Sequence, residues 1–204
     1  VYNFCLPDSR DMQAMTGLMA QTEQHGRPAL LLHCSMHSWW DTYKKGKPIP
    51  GNRVGQARAA RKLLKAWGKG HPSTPLPAWG DFTGVASTAH GPKQPIRLTS
   101  LSTHPATARL PQNYATPATE LYNNVYVTED VTPLLLGTQG EAQAVVMWSV
   151  PRGTGEILGL SLGHDMEEWQ GPVFRTLVTD GVNYLLRQER ERNVTGAATA
   201  PDPD

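Results

Sequence analysis

Leu30-Leu31-Leu32-His33-Cys34-Ser35-Met36-His37-Ser38-Trp39-Trp40 is the stretch on which the fold turns. The run from Pro28 up to His33 is short and apolar without alternation, which is how a strand buried on both faces of a parallel sheet reads. Ahead of it, Val1 to Cys5 reads as another strand. Between them Asp8 or Ser9 can cap a helix to about Gln24, with Met12, Met15, Leu18 and Met19 on one face. Strand, helix, strand makes one βαβ crossover and predicts an α/β fold. Ile157-Leu158-Gly159-Leu160-Ser161-Leu162-Gly163-His164-Asp165 repeats the pattern of a polar head behind an apolar run. In open α/β sheets ligands collect at the carboxyl ends of the strands, so His33, His37, His90, His104 and His164, each beside a strand-like run, become site candidates.

The chain has 204 residues, enough for one domain with a substantial core. Its formal charge of +1 provides no global field to recruit nucleic acid or an anionic membrane. No stretch approaches the ~18 apolar residues of a membrane span, so the chain reads as soluble, with the cytoplasm and an exported location both open. It opens at Val1 inside a strand, as a processed chain or a fragment does. Cys5 and Cys34 each end a short apolar run and read as small buried hydrophobes rather than as a disulfide.

From Lys44 to Lys69 lie nine basic residues, with no acid between Asp41 and Asp81. Asn52 to Trp67 within this segment is predicted as an inserted helix with a solvated basic face; a patch for an anionic partner is the sharper alternative. Pro72, Pro75 and Pro77 form a stiff connector. Further strands are predicted at Pro95–Leu101, Val125–Thr128 and Leu134–Leu136, and as a hairpin of Ala142–Val150 and Glu156–Leu162. A helix is predicted from Val173 to Glu191. The domain spans residues 1–192, and the small polar residues from 193 to 204 read as a disordered tail.

Three chemistries are compatible with these residues. His33-Cys34-Ser35 after a buried strand has the layout of a nucleophile elbow, with Cys34 as the nucleophile and His164 as its base, oriented by Asp165 or Glu167. The histidines with Glu120 and Asp165 could hold zinc, although no HExxH is present and the four-residue spacing of His33 and His37 falls where Trp39-Trp40 and the elbow geometry argue against a regular helix. Glu120, Tyr122, Asn123 and Asn124 suit acid/base work or hydrogen bonding to a polyhydroxylated ligand. Trp39, Trp40, Tyr43, Trp79 and Trp169 are placed to line a sugar site or to cover a core.

Taken in order, Leu32-His33-Cys34-Ser35-Met36-His37-Ser38, Phe82 to Pro92, His104-Pro105, Glu120 to Asn124, Val146-Met147-Trp148 and Leu162-Gly163-His164-Asp165 resemble the ThuA-like (trehalose utilisation) domain, most closely its branch in planctomycete-type bacteria. The resemblance runs from Val1 to about Arg187. It implies a flavodoxin-like three-layer sandwich with a mostly parallel sheet, related to class I glutamine amidotransferases and here lacking its first strand. It also implies a role on keto-sugars or glycosides, with a small carbohydrate as partner, no nucleic acid or membrane, and a homo-oligomer as an open question. Carried over, the catalytic residues are His164, Glu120 and His33. His90, Tyr122, Asp165, His104, Trp39 and Cys34 are placed around the substrate. Zinc is the one cofactor kept open. The amidotransferase logic asks for a Glu two residues after the His, whereas here Asp165, Met166 and Glu167 come after His164, so the spacing fails by one. A non-catalytic carbohydrate-binding or scaffold module, and a cysteine-dependent amide hydrolase, are the rival readings.

Overall fold

The computed structural model describes residues 1–6, 9, 11–39, 78–87, 89–124 and 126–198. The basic segment 44–77, its predicted helix, Trp40, Tyr43 and the last six residues lie outside the described residues.

The predicted first helix is α1, Met12–Glu23, and its cap is Asp11, whose side chain accepts from the Ala14 N–H at 2.9 Å. It leads into β1, Ala29–Leu32, buried along its whole length. The opening segment keeps a trace of the expected crossover, with Tyr2 forming a parallel bridge to Leu31. A 3₁₀ turn, His33–His37, comes directly after β1. Beyond the undescribed segment come α2 (Ala78–Thr83), β2 (Val85–Ala86), β3 (Gln94–Ser100), β4 (Ala115–Thr119), β5 (Tyr126–Val127), β6 (Thr132–Gln139), β7 (Ala142–Arg152), β8 (Gly155–Leu160), α3 (Met166–Gln170) and α4 (Pro172–Ala198).

Six strands form the main sheet in the order β1-β8-β7-β6-β3-β4. Only β1 and β8 pair in parallel; β8–β7, β7–β6, β6–β3 and β3–β4 are antiparallel. The fold is mixed α/β, as expected, but the expected mostly parallel sheet is corrected to a mostly antiparallel one. The reason lies in the connections. β6 passes to β7 through Gly140 and Glu141, and β7 to β8 through Gly153 and Thr154, with Gly140 and Gly153 at φ of 58° and 55°. Two-residue turns of that kind join only antiparallel neighbours. Of the predicted strand Val125–Thr128, Val125 lies outside the described residues, and Tyr126–Val127 forms a separate two-stranded ribbon, β2 with β5.

Alternation along β1 serves two cores. Leu30 and Leu32 enter a cluster with Ile96, Val146, Leu158, Leu160 and the α4 residues Phe174, Leu177 and Leu185. Ala29 and Leu31 face the other way, onto Met15, Trp79, Phe82, Trp148 and Ile157. Trp148 is fixed at both ends: its indole N–H donates to the Thr83 carbonyl at 2.8 Å, and its ring lies over Gly159, where an added Cβ would come within 2.1 Å of ring carbon. The last helix runs to Ala198, into the segment predicted as a disordered tail.

Candidate functional site

Strand direction decides which side chains meet. β1, β8, β6 and β4 run one way and β7 and β3 the other. One rim therefore collects the residues just after β1, β8 and β4 together with those just before β3. Those positions are His33, His164, Glu120 and His90, and they converge.

Glu120 is the hub. It is 8% exposed, and its Oε2 lies 3.1 Å from His164 Nδ1 and 3.3 Å from the Tyr122 hydroxyl, while Oε1 lies 3.5 Å from His90 Nδ1. His33 Nε2 is 3.3 Å from His164 Nδ1 and 3.4 Å from the Tyr122 hydroxyl. The His33 ring meets Tyr122 edge-on at 5.2 Å, and His90 is held beside Tyr122 by a backbone bridge. His33 has φ of 51°, a left-handed conformation uncommon outside glycine. The sharp turn expected at Cys34 thus has His33 at its apex, and Cys34 turns inward.

The His164 loop has its own support. Gly163 has φ of 104°, and an added Cβ would lie 2.7 Å from the Phe174 ring, so the position accepts only glycine without strain. Glu168, 2% exposed, accepts at one oxygen from the Gly163 N–H at 3.1 Å, the His164 N–H at 2.8 Å and the Thr119 hydroxyl. It ties the end of β4, and so Glu120, to the loop bearing His164.

Burial, then His164, holds the His33 imidazole below its ordinary range, with Glu120 pulling the other way. Burial, then Cys34 and Glu120, pushes the Tyr122 phenol far up, so it is a neutral donor. Asp165, 3.7 Å from His164 Nε2, is ion-paired with Lys93, which holds its carboxyl below the usual carboxylate range. The side chains of His90 and His164 remain 39% and 32% exposed, against 10% for Glu120, so a ligand reaches the imidazoles first.

The family model described as trehalose utilisation, ThuA, matches residues 65–185, more than half of the chain. The chain belongs to the ThuA family. No curated protein matches it. Membership ties the chain to carbohydrate metabolism. No helix among the described residues is long and apolar enough to cross a membrane.

Of the residues that the ThuA resemblance assigns, the structure brings together His33, His90, Glu120, Tyr122, His164 and Asp165. It does not bring His104. That residue lies just after β3, whose carboxyl end is on the opposite rim; there Nδ1 accepts from the Ala106 N–H at 3.1 Å and the ring packs on Tyr184 at 4.4 Å. Trp39 is also corrected. It is 3% exposed, its indole N–H donates to the Asp11 carbonyl, and it packs against Phe4 and Trp79 as core. Cys34 is buried with its thiol pushed up by burial, and its sulfur is near Phe4 and Cys5 rather than His164, which argues against the thiolate that an amide hydrolase needs. Sequence reasoning missed Glu168 and Lys93. A Glu four residues after His164 at the start of a helix was the available signal.

His37, 3% exposed, has its Nε2 3.5 Å from Cys5 Sγ, and burial followed by His33 and His90 lowers its pKa to about 4. An unfolded histidine titrates near 6.5, so between about pH 6.5 and 4 only the unfolded chain takes up this proton. The stabilisation is complete above that window and is lost as pH falls through it, on the order of 3 kcal/mol for this shift. Urea midpoints measured from about pH 7 down to about pH 4 are expected to fall, and less steeply in His37→Phe.

Proposed function

We propose that the chain is an enzyme of carbohydrate metabolism that moves a proton on a keto-sugar or glycoside, with His164 as the acid/base and Glu120 as its partner. The observation that carries this reading is the 3.1 Å contact between His164 Nδ1 and the buried Glu120 carboxylate. A carboxylate only accepts, so Nδ1 carries the hydrogen and Nε2 is left as the atom that takes or gives a proton. Glu120 also stabilises the imidazolium formed when Nε2 is protonated. His33 and Tyr122, held against each other beneath, are placed to polarise a substrate oxygen, and His90 to bind at the mouth. A ketone acidifies the neighbouring C–H, and removal of that proton generates an enolate whose negative charge these donors would meet.

A second reading rests on the same donors. Tetrahedral zinc spaces nitrogen and oxygen ligands about 3.3 Å apart. His33 Nε2 and His164 Nδ1 are 3.3 Å apart, His164 Nδ1 and Glu120 Oε2 3.1 Å, and all three atoms lie within 4.8 Å of one another. The set fits zinc, which would supply Lewis-acid polarisation of the same oxygen. The kinship with flavodoxin-like amidotransferase folds belongs to this proposal as well, supported by the buried β1–β8 parallel pair alone.

The test is product formation from 3-keto-disaccharides and unmodified disaccharides, with metal content measured on protein purified without chelator. Product that persists after zinc is stripped by chelator is the expected result. Loss of product on zinc removal would transfer the chemistry to the second reading. Calorimetric binding of sugar with no product from any substrate would instead make the chain a carbohydrate-binding module.

A further inference from the structure

Outside the acid/base cluster, a second group of donors converges. The opening segment lies along the 3₁₀ turn through serine hydroxyls: the Phe4 N–H donates to Ser35 Oγ at 3.2 Å, the Leu6 N–H to Ser38 Oγ at 3.1 Å, and Ser35 Oγ donates to the Tyr2 carbonyl at 3.0 Å. This clamp holds Cys5 over the turn that carries Cys34 and His37. Both cysteines are free thiols, Cys5 exposed and Cys34 buried. Cys5 Sγ lies 3.5 Å from His37 Nε2, and the two sulfurs and a ring nitrogen of His37 all lie within 4.8 Å of one another.

We propose that Cys5, Cys34 and His37 form a metal site for a thiophilic, tetrahedral cation of the zinc class. With bonds of about 2.3 Å to sulfur and 2.0–2.1 Å to nitrogen, a tetrahedral ion sets its sulfur and nitrogen ligands about 3.6 Å apart, which is the Cys5–His37 spacing. Hydrogen bonding alone gives this grouping little, because thiols are weak donors and Cys34 Sγ reaches the Phe4 carbonyl only at 3.9 Å. The imidazole of His37 is neutral at working pH, so it offers a lone pair without first losing a proton. Each thiol exchanges its proton for the metal bond, so uptake of one dication releases two protons. Exposed Cys5 gives the ion its route in and leaves the fourth position to water. The site shares no donor with the His33–His164–Glu120 cluster, but the His37 ring lies 5.2 Å from that of Tyr122, which connects the two.

Cobalt(II) titrated into the reduced full chain distinguishes the two clusters, because only thiolates give a near-ultraviolet sulfur-to-metal charge-transfer band. The expected result is a band saturating at one cobalt per chain and bleached by zinc. It is lost in Cys5→Ser, a surface change whose fold is checked by circular dichroism, and retained in Glu120→Gln. Absence of the band in reduced, folded protein would overturn the proposal. So would an undiminished band in Cys5→Ser, or a Cys5–Cys34 disulfide that forms in air with one equivalent of zinc present.

Discussion

Glu120→Gln is expected to lower turnover of a 3-keto-disaccharide by about 10²–10⁴-fold, the usual range for losing a positioned acid/base, with KM little changed. The amide keeps the shape and the hydrogen-bonding reach of the carboxylate, so packing around Tyr122 and His164 survives. The change removes the negative charge that faces His164 Nδ1. Glu120 is buried, and in its place the Gln side chain can present an N–H as readily as a carbonyl to Nδ1, which loosens the tautomer as well. Thermal unfolding should shift little, so a large loss of turnover with a native melting curve separates the chemical role from a structural one. Unchanged turnover would remove Glu120 from the mechanism.

Glu168→Ala should be the most destabilising single change at the site, costing about 3 kcal/mol or more. It strips the acceptor from two backbone N–H groups and a hydroxyl in a buried position. The Thr119 hydroxyl can turn to another partner, whereas the Gly163 and His164 N–H groups are fixed by the backbone. Because those two residues carry the imidazole, turnover should fall together with stability. Glu168→Gln restores an acceptor oxygen and should recover most of both in urea unfolding and in the assay. An alanine variant as stable as the parent would show that the loop is held by other contacts.

The run Ala29–Leu32 was legible because burial on both faces leaves an unmistakable apolar signature, and it correctly placed His33 at a strand end. The direction of β3 was legible only in its alternation of buried Ile96 and Leu98 with exposed Arg97 and Thr99, the pattern of an antiparallel strand. That single direction explains both a hit and a miss. His104 comes after its strand but lands on the far rim because β3 runs against β8, while His90 reaches the site by preceding the same strand. β4, Ala-Thr-Pro-Ala-Thr, gave no strand signal because it carries a proline and little apolar bulk; as the edge strand it tolerates both. Trp39 looked like a sugar platform because an aromatic beside a site reads alike whether it covers a core or a ligand. Glu168 was hidden among Asp165, Glu167 and itself, three acids at one helix start, of which only the loop geometry selects one.

The proposed mechanism requires His164 and Glu120 to act as one unit, and a double-mutant cycle in turnover tests that directly. Glu120→Gln, His164→Gln and the double variant, assayed on the same 3-keto-disaccharide, should show single losses nearly as large as the double loss, because removing either member disables the pair. Losses that multiply, or either single variant turning over at the parent rate, would contradict it.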